Sequence, residues 1–418
     1  MKDLAILWLT VQTLGFCVCQ KYSFERENEL RTILFETKEY NLFARPRTTV
    51  DIVVSLNIIN FNDLNIKEQQ LTTTAYFLLS WDDKRLFWDD INPYRYDVTR
   101  LFTSEEFVWH PSVVIDNSIS DLAAMSDDGS PISVTTKGEL TWRISGIFET
   151  FCEIDTLLYP FDTQICSISM TSLAYSMREI NLLFSEEPVD TRDLHENGEW
   201  YYMGYNTSRS IISRETQTYS SLKFHFQLKR RPLYHVLNTL VPTISLAFLT
   251  CTVFKLPADS GEKIGYSLTV VLSYAVYLTL VADSVPSSST TVSILSIYIV
   301  CTLILGMLSV VLTIIVLRCY HSNEETPVPN LLRHICRINL KKIISDCRRR
   351  RQISDREDKD PKPEIEKSES TDDPTKTVTW QDVARTLDNV FFWLYFVIVF
   401  SGTGCLVIIF ITVYYNSA

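Results

Sequence analysis

An excess of basic residues is missing from this sequence. Lys and Arg number 39 against 50 Asp and Glu, a formal net charge of −11, which excludes the broad positive field that nucleic-acid binding requires. Histidine is scarce as well. The six present include His110, His195 and His225, and they show no metal-ligand or nucleophile spacing. The sequence therefore supports neither an enzyme nor a cofactor. Charge of either sign is absent from four long stretches: between Arg231 and Lys255, from Ile264 to Ala282, from Ser284 to Leu317, and from Asn389 onward. Each can supply the ~20 apolar residues that cross a bilayer. Cysteine is nearly missing from the first half. Of ten in all, only Cys152 and Cys166 lie between residues 20 and 250.

What is present divides the chain. Lys2 precedes an apolar run from Leu4 to Val18, so residues 1–20 read as a secretory signal. Gln12 and the lack of a following stop-transfer cluster weigh against a membrane anchor there. Residues 21–231 alternate apolar and polar side chains, as in Val50–Asn60, Thr72–Trp81, Glu139–Ile147 and Ser220–Leu228, with turn signals at Asp127-Asp128-Gly129 and Glu196-Asn197-Gly198. Many short strands over that length predict a β-sandwich or barrel, preceded by a short helix near Phe24–Glu36. In this exported part, Cys152 and Cys166 most simply form one disulfide, and Asn206-Thr207-Ser208 offers a glycosylation acceptor.

The charge-free stretches predict transmembrane helices at 232–256, 262–283, 292–317 and 389–415. Residues 318–388 between the last two hold nine Lys and Arg from Arg318 to Arg351, which places this loop inside the cell and both termini outside. Arg348–Arg351 would lie near anionic membrane lipids. Ser354–Lys376 is too polar to bury a core. From Thr379 a helical face of Trp380, Val383, Leu387 and Phe391 runs into the fourth span.

One motif ties these parts together. Cys152 and Cys166 enclose thirteen residues that include Tyr159-Pro160-Phe161-Asp162. With Trp109-His110-Pro111, Trp81, Trp88, Arg230-Arg231-Pro232 and Gly261-Glu262-Lys263 in order along the chain, this resembles the Cys-loop receptors, most closely nicotinic acetylcholine and type-3 serotonin receptors. The resemblance covers nearly the whole mature chain. It implies a pentamer of a β-sandwich domain and a four-helix membrane bundle, built with four further subunits in the plasma membrane. A small-molecule agonist would bind between subunits and open a pore to permeant cations. It further implies that Lys67, Tyr159, Pro160, Phe161, Asp162 and Arg230, with the turn Val285–Ser289, couple the sandwich to the pore. On this reading Arg230→Gln spares surface expression and abolishes agonist current.

The second span carries its own signal. Glu262, Gly265, Thr269, Leu272, Val276, Thr279 and Asp283 fall three or four residues apart, hence on one helical face. Five copies around an axis would stack them into rings. The carboxylates at both ends would attract cations, Gly265 and Thr269 would form a polar filter, and Leu272 and Val276 would gate by dewetting. Lys263, at its offset, should point away.

The ligand site is less complete. Carried over by local motif, its positions are Tyr76, Asp116, Leu173 and Tyr219, with Tyr205 beside them. Aromatic residues common in the family are replaced at Asp116 and Leu173, and the adjacent cysteine pair of acetylcholine-binding subunits is absent near Ser213-Arg214. Tyr201, Tyr202 and Tyr205 either rebuild a cation–π cage or pack the strand. Asp116 would pair with an amine or with Arg214. An accessory subunit without its own agonist site is the alternative that these losses favour.

Overall fold

A computed structural model describes residues 22–91, 98–126, 129–283, 292–322, 329 and 379–416. The expected signal, the turn Val285–Ser289 and most of the segment 318–378 lie outside the described residues. The chain forms two compact units, one of residues up to 154 with 163–229, the other of 155–162 with 230 onward.

The first unit opens with helix α1 (Phe24–Arg31), which widens into a π turn over Thr32–Thr37. Ten strands follow: β1 (Val50–Asn65), β2 (Gln70–Asp82), β3 (Arg100–Thr103), β4 (Val113–Ile115), β5 (Ile132–Thr135), β6 (Glu139–Phe151), β7 (Thr163–Ser172), β8 (Ile180–Asp190), β9 (Trp200–Arg214) and β10 (Gln217–Arg230). They make a six-stranded sheet in the order β3-β5-β6-β2-β1-β8 and a four-stranded sheet in the order β4-β7-β10-β9. The period-2 pattern sets which side chains face inward. Along β2, for example, Leu71, Thr73, Ala75, Phe77, Leu79 and Trp81 are buried and their neighbours are not. Phe77 of one sheet meets Phe224 of the other at 6.0 Å between ring centroids. The sandwich predicted from alternation is the fold found, with longer strands. Cys152 and Cys166 are disulfide-bonded.

The second unit holds four helices long and apolar enough to cross a membrane: α2 (Leu233–Lys255), α3 (Lys263 to Asp283), α4 (Ile294–Tyr320) and α5 (Trp380–Asn416). α5 is continuous from its polar start at Trp380 through the apolar run. In α2, Pro242 has no amide hydrogen to offer the carbonyl four residues back. That carbonyl, of Asn238, accepts instead from the Tyr277 hydroxyl of α3, which also reaches the Thr239 carbonyl at 3.1 Å. A backbone acceptor freed inside an apolar bundle is thus satisfied by a neighbouring helix, as a hydrocarbon surrounding demands.

A candidate pore face, a coupling cluster and a ligand region

Helix α3 shows two faces. Lys263, Ser267, Val270, Tyr274 and Val281 are buried, whereas Gly265, Thr269, Leu272, Val276 and Thr279 are exposed in the single chain, as is Glu262 just before the helix. Leu272 is 64% exposed and Val276 55%. These side chains stay open on a helix whose other face packs against α2 and α4. The hydroxyls on the stripe donate backward, from Thr269 to the Gly265 carbonyl at 2.8 Å and from Thr279 to the Val276 carbonyl at 2.6 Å. Once its proton is so engaged, a hydroxyl turns only acceptor lone pairs outward, which suits a cation. α3 ends at Asp283, whose side chain lies outside the described residues.

Lys263 stands next to Glu262 in sequence and opposite to it in environment. Its side chain is fully buried, and Nζ donates to Asp388 Oδ1 of α5 at 2.5 Å, 125 residues away. The charge at the base of α3 that faces solvent is therefore the acidic one.

A second buried pair lies where the resemblance placed coupling residues. Arg230 donates to both carboxylate oxygens of Asp162, at 2.7 and 3.0 Å, and each side chain is 3% exposed. The Arg230 amide also donates to the Asp162 carbonyl, and its guanidinium stands 5.3 Å from the Tyr159 ring centroid. Tyr159 precedes a cis Pro160, and its hydroxyl lies 2.8 Å from His235 Nδ1. Burial pushes the Tyr159 hydroxyl above its ordinary range, against the pull of Arg230. Phe161 packs on Phe410 of α5, with centroids 5.0 Å apart. All these residues belong to the helical unit. Lys67 belongs to the sandwich, exposed on the turn between β1 and β2.

In the ligand region, Asp116 pairs with Arg214 at 2.5 Å across 98 residues. Arg214 is one of the two partners that the sequence offered Asp116. That guanidinium also stands 5.9 Å from the Tyr219 ring centroid, so Asp116, Arg214 and Tyr219 form one cluster. Leu173, just past the end of β7, is exposed. Tyr76 on β2 lies under the Arg143 guanidinium of β6, 4.9 Å from its ring centroid.

The clustered tyrosines of β9 divide between the two sides of the strand. Tyr202 stacks on Phe61 at 5.7 Å, and this burial pushes its hydroxyl up to about 12. Tyr201 and Tyr205 face outward. β9 and β10 join through the two residues Glu215 and Thr216, and Ser208 of β9 meets His225 of β10 at 2.8 Å. With a rise of ~3.3 Å per residue, this hairpin sets Tyr205 about 23–30 Å along the strand from the level of Tyr219. Strand packing holds for Tyr202, and Tyr205 stands apart from the Asp116 cluster. Asn206, the glycosylation acceptor, is exposed on β9.

Three participants went unrecognised in the sequence: Asp388, His235 and Arg143. The first two are distant in sequence from their partners and carry no local motif. Arg143 is placed by the β2–β6 register, which sets it opposite Leu78, diagonal to Tyr76 and within reach of its ring.

Known proteins agree with this division of the chain. The model of the neurotransmitter-gated ion-channel ligand binding domain matches residues 27–232, and that of the neurotransmitter-gated ion-channel transmembrane region matches residues 239–375. The chain is 30% identical over 339 residues to the acetylcholine receptor subunit beta of Xenopus laevis, covering 77% of this chain and 67% of that protein. It is 31% identical over 323 residues to the acetylcholine receptor subunit alpha-1-A of the same species, covering 75% and 69%. It is likewise 31% identical over 296 residues to the neuronal acetylcholine receptor subunit alpha-2 of Gallus gallus, covering 69% of this chain and 55% of that relative. The chain thus spans between about half and two thirds of the length of these relatives. Two matched domains in succession, a disulfide-closed loop between Cys152 and Cys166 and four apolar helices leave one conclusion: the chain belongs to the neurotransmitter-gated ion-channel family, which consists of receptors and not of enzymes.

Proposed function

We propose that this chain is one subunit of a cation-selective pentameric channel of the plasma membrane, opened by an extracellular small-molecule agonist. The exposed stripe on α3 carries the reading. Glu262, Gly265, Thr269, Leu272, Val276 and Thr279 form one open face, whereas the neighbouring cation Lys263 is buried on Asp388. Five such faces around an axis would give a carboxylate ring at the cytoplasmic mouth, an outward-facing ring of hydroxyl lone pairs and a hydrophobic constriction, with Asp283 as the outer acidic ring. The sandwich (21–231) and both termini would be extracellular, and residues 318–388 intracellular. The bilateral Arg230–Asp162 contact, with Tyr159, Pro160 and Phe161 around it, would pass motion from the sandwich strands to α2, assisted by Lys67.

The test is current recording from cells expressing the chain alone, during application of amines, amino acids and pH steps. An evoked current that shifts its reversal potential with external sodium supports the reading; one that follows chloride overturns its selectivity. A second reading, an accessory subunit within a hetero-pentamer, is favoured by the Asp116–Arg214 pair and by Leu173 in the ligand region. Silence despite surface expression, relieved by a co-expressed family subunit, would establish it.

A further inference from the structure

Two of the three tyrosines assigned to the ligand site, Tyr76 and Tyr219, already face a guanidinium of this same chain. Arg214 lies 5.9 Å from the Tyr219 ring centroid and Arg143 4.9 Å from that of Tyr76. Aromatic faces and a nearby carboxylate are the groups that attract an organic ammonium. Here the carboxylate, Asp116, is engaged as well, by Arg214 at 2.5 Å. Tyr76, Tyr219 and Asp116 are thus each met by a guanidinium from within the chain.

The backbone supports this occupancy. Arg214 is the last residue of β9, and only Glu215 and Thr216 separate it from β10. Glu215 has φ 55°, a left-handed conformation that is costly for a residue with a Cβ. The contact to Asp116 runs from this hairpin tip, across the β7 and β10 positions of the sheet, to the end of β4. The pair is about one third exposed on the arginine side and one quarter on the aspartate side, so solvent screening keeps it modest in strength. Its advantage is tethering. An attached group competes at an effective concentration in the millimolar range, which a free cation of similar intrinsic affinity cannot match at micromolar levels.

We propose that Arg214 is a built-in occupant of the ligand site at Asp116 and Tyr219, with Arg143 capping Tyr76. The site therefore rejects small organic cations and takes them up once Arg214 is removed. The inference rests on the reading of this region as the ligand site of a channel subunit.

The experiment titrates the full-length chain in lipid nanodiscs with tetramethylammonium, by calorimetry, for the unsubstituted chain, Arg214→Gln and the double variant Arg214→Gln/Asp116→Asn. The expected result is no saturable binding by the unsubstituted chain below about 1 mM, the effective concentration of the tethered group. Arg214→Gln should bind at least about tenfold more tightly, and the double variant should lose most of that gain. Micromolar binding by the unsubstituted chain overturns the proposal whatever the variants do. So does a folded Arg214→Gln that binds no better. Arg214→Met, which keeps the apolar stem, replaces Arg214→Gln if thermal melting shows the latter unfolded.

A parallel recording of Leu272→Ser separates the two levels of inference. Ligand-free current from Leu272→Ser with no gain of binding in Arg214→Gln removes the occupant and leaves the channel. Surface-expressed Leu272→Ser that stays without current, alone and with a co-expressed family subunit, removes the channel reading itself.

Discussion

In the helical unit two charged pairs are buried, Lys263 on Asp388 and Arg230 on Asp162, while the α3 stripe with Leu272 and Val276 is left uncovered. In the sandwich the ligand region shows the reverse arrangement. Its charged and aromatic groups are partly exposed yet already satisfied by one another, Asp116 and Tyr219 by Arg214 and Tyr76 by Arg143. What a single chain leaves unsatisfied indicates what it waits for. On the proposed reading the α3 stripe meets water and neighbouring copies, while the charges and rings of the candidate ligand region are paired within the chain.

The comparison breaks most visibly at Arg230. Removing its guanidinium strands a buried carboxylate, and breaking such a pair typically costs about 3–5 kcal/mol. Arg230→Gln should therefore lower surface expression together with current, which revises the sequence-based expectation that expression is spared. Thermal melting and surface labelling decide this, and Arg230→Gln/Asp162→Asn should recover much of the loss because no charge is left buried. Wild-type melting of Arg230→Gln would refute the pairing as a stability element.

The neighbouring positions 262 and 263 sharpen the contrast on a smaller scale. Lys263→Gln removes a charged hydrogen bond to Asp388, worth roughly 1.5–3 kcal/mol, and should destabilise the chain without altering ion preference. Glu262→Gln should do the opposite, with unchanged melting and reduced single-channel conductance. If the two variants behave alike, the two-faced description of α3 is wrong.

The smallest expected effect separates two tyrosines of β9. Tyr202→Ala loses a stacked pair worth ~0.5–1.5 kcal/mol beyond its area. Tyr205→Ala, on the open face, should stay within about 0.5 kcal/mol and leave ligand responses unchanged. A selective loss of ligand response in Tyr205→Ala would return this residue to the site.

These cases also show what the sequence could carry. Side-chain periodicity is local, so the sandwich strands, the four apolar helices and the exposed α3 stripe were all legible from it, as was the inward turn of Lys263 one position from Glu262. The loop between Cys152 and Cys166 was legible because its signature lies within one short segment. Partners distant in sequence were not. Tyr202 packs on Phe61 of another strand, Lys263 on Asp388 and Tyr159 on His235, and no local pattern announces such pairs. The ligand region illustrates an intermediate case. The sequence offered Arg214 as one partner for Asp116, and only the hairpin geometry selected it. Arg143 over Tyr76 required the β2–β6 register, which alternation alone leaves open.

The central claim is that the α3 stripe lines a cation pore with Leu272 at its constriction. Its most direct test is voltage-clamp recording, without agonist, from cells expressing Leu272→Ser, since a hydroxyl in place of the exposed apolar side chain should hydrate the constriction. The account predicts a standing current absent from the unsubstituted chain, with a reversal potential that moves with external sodium and ignores chloride. A current that follows chloride, or no current from protein present at the surface, would contradict it.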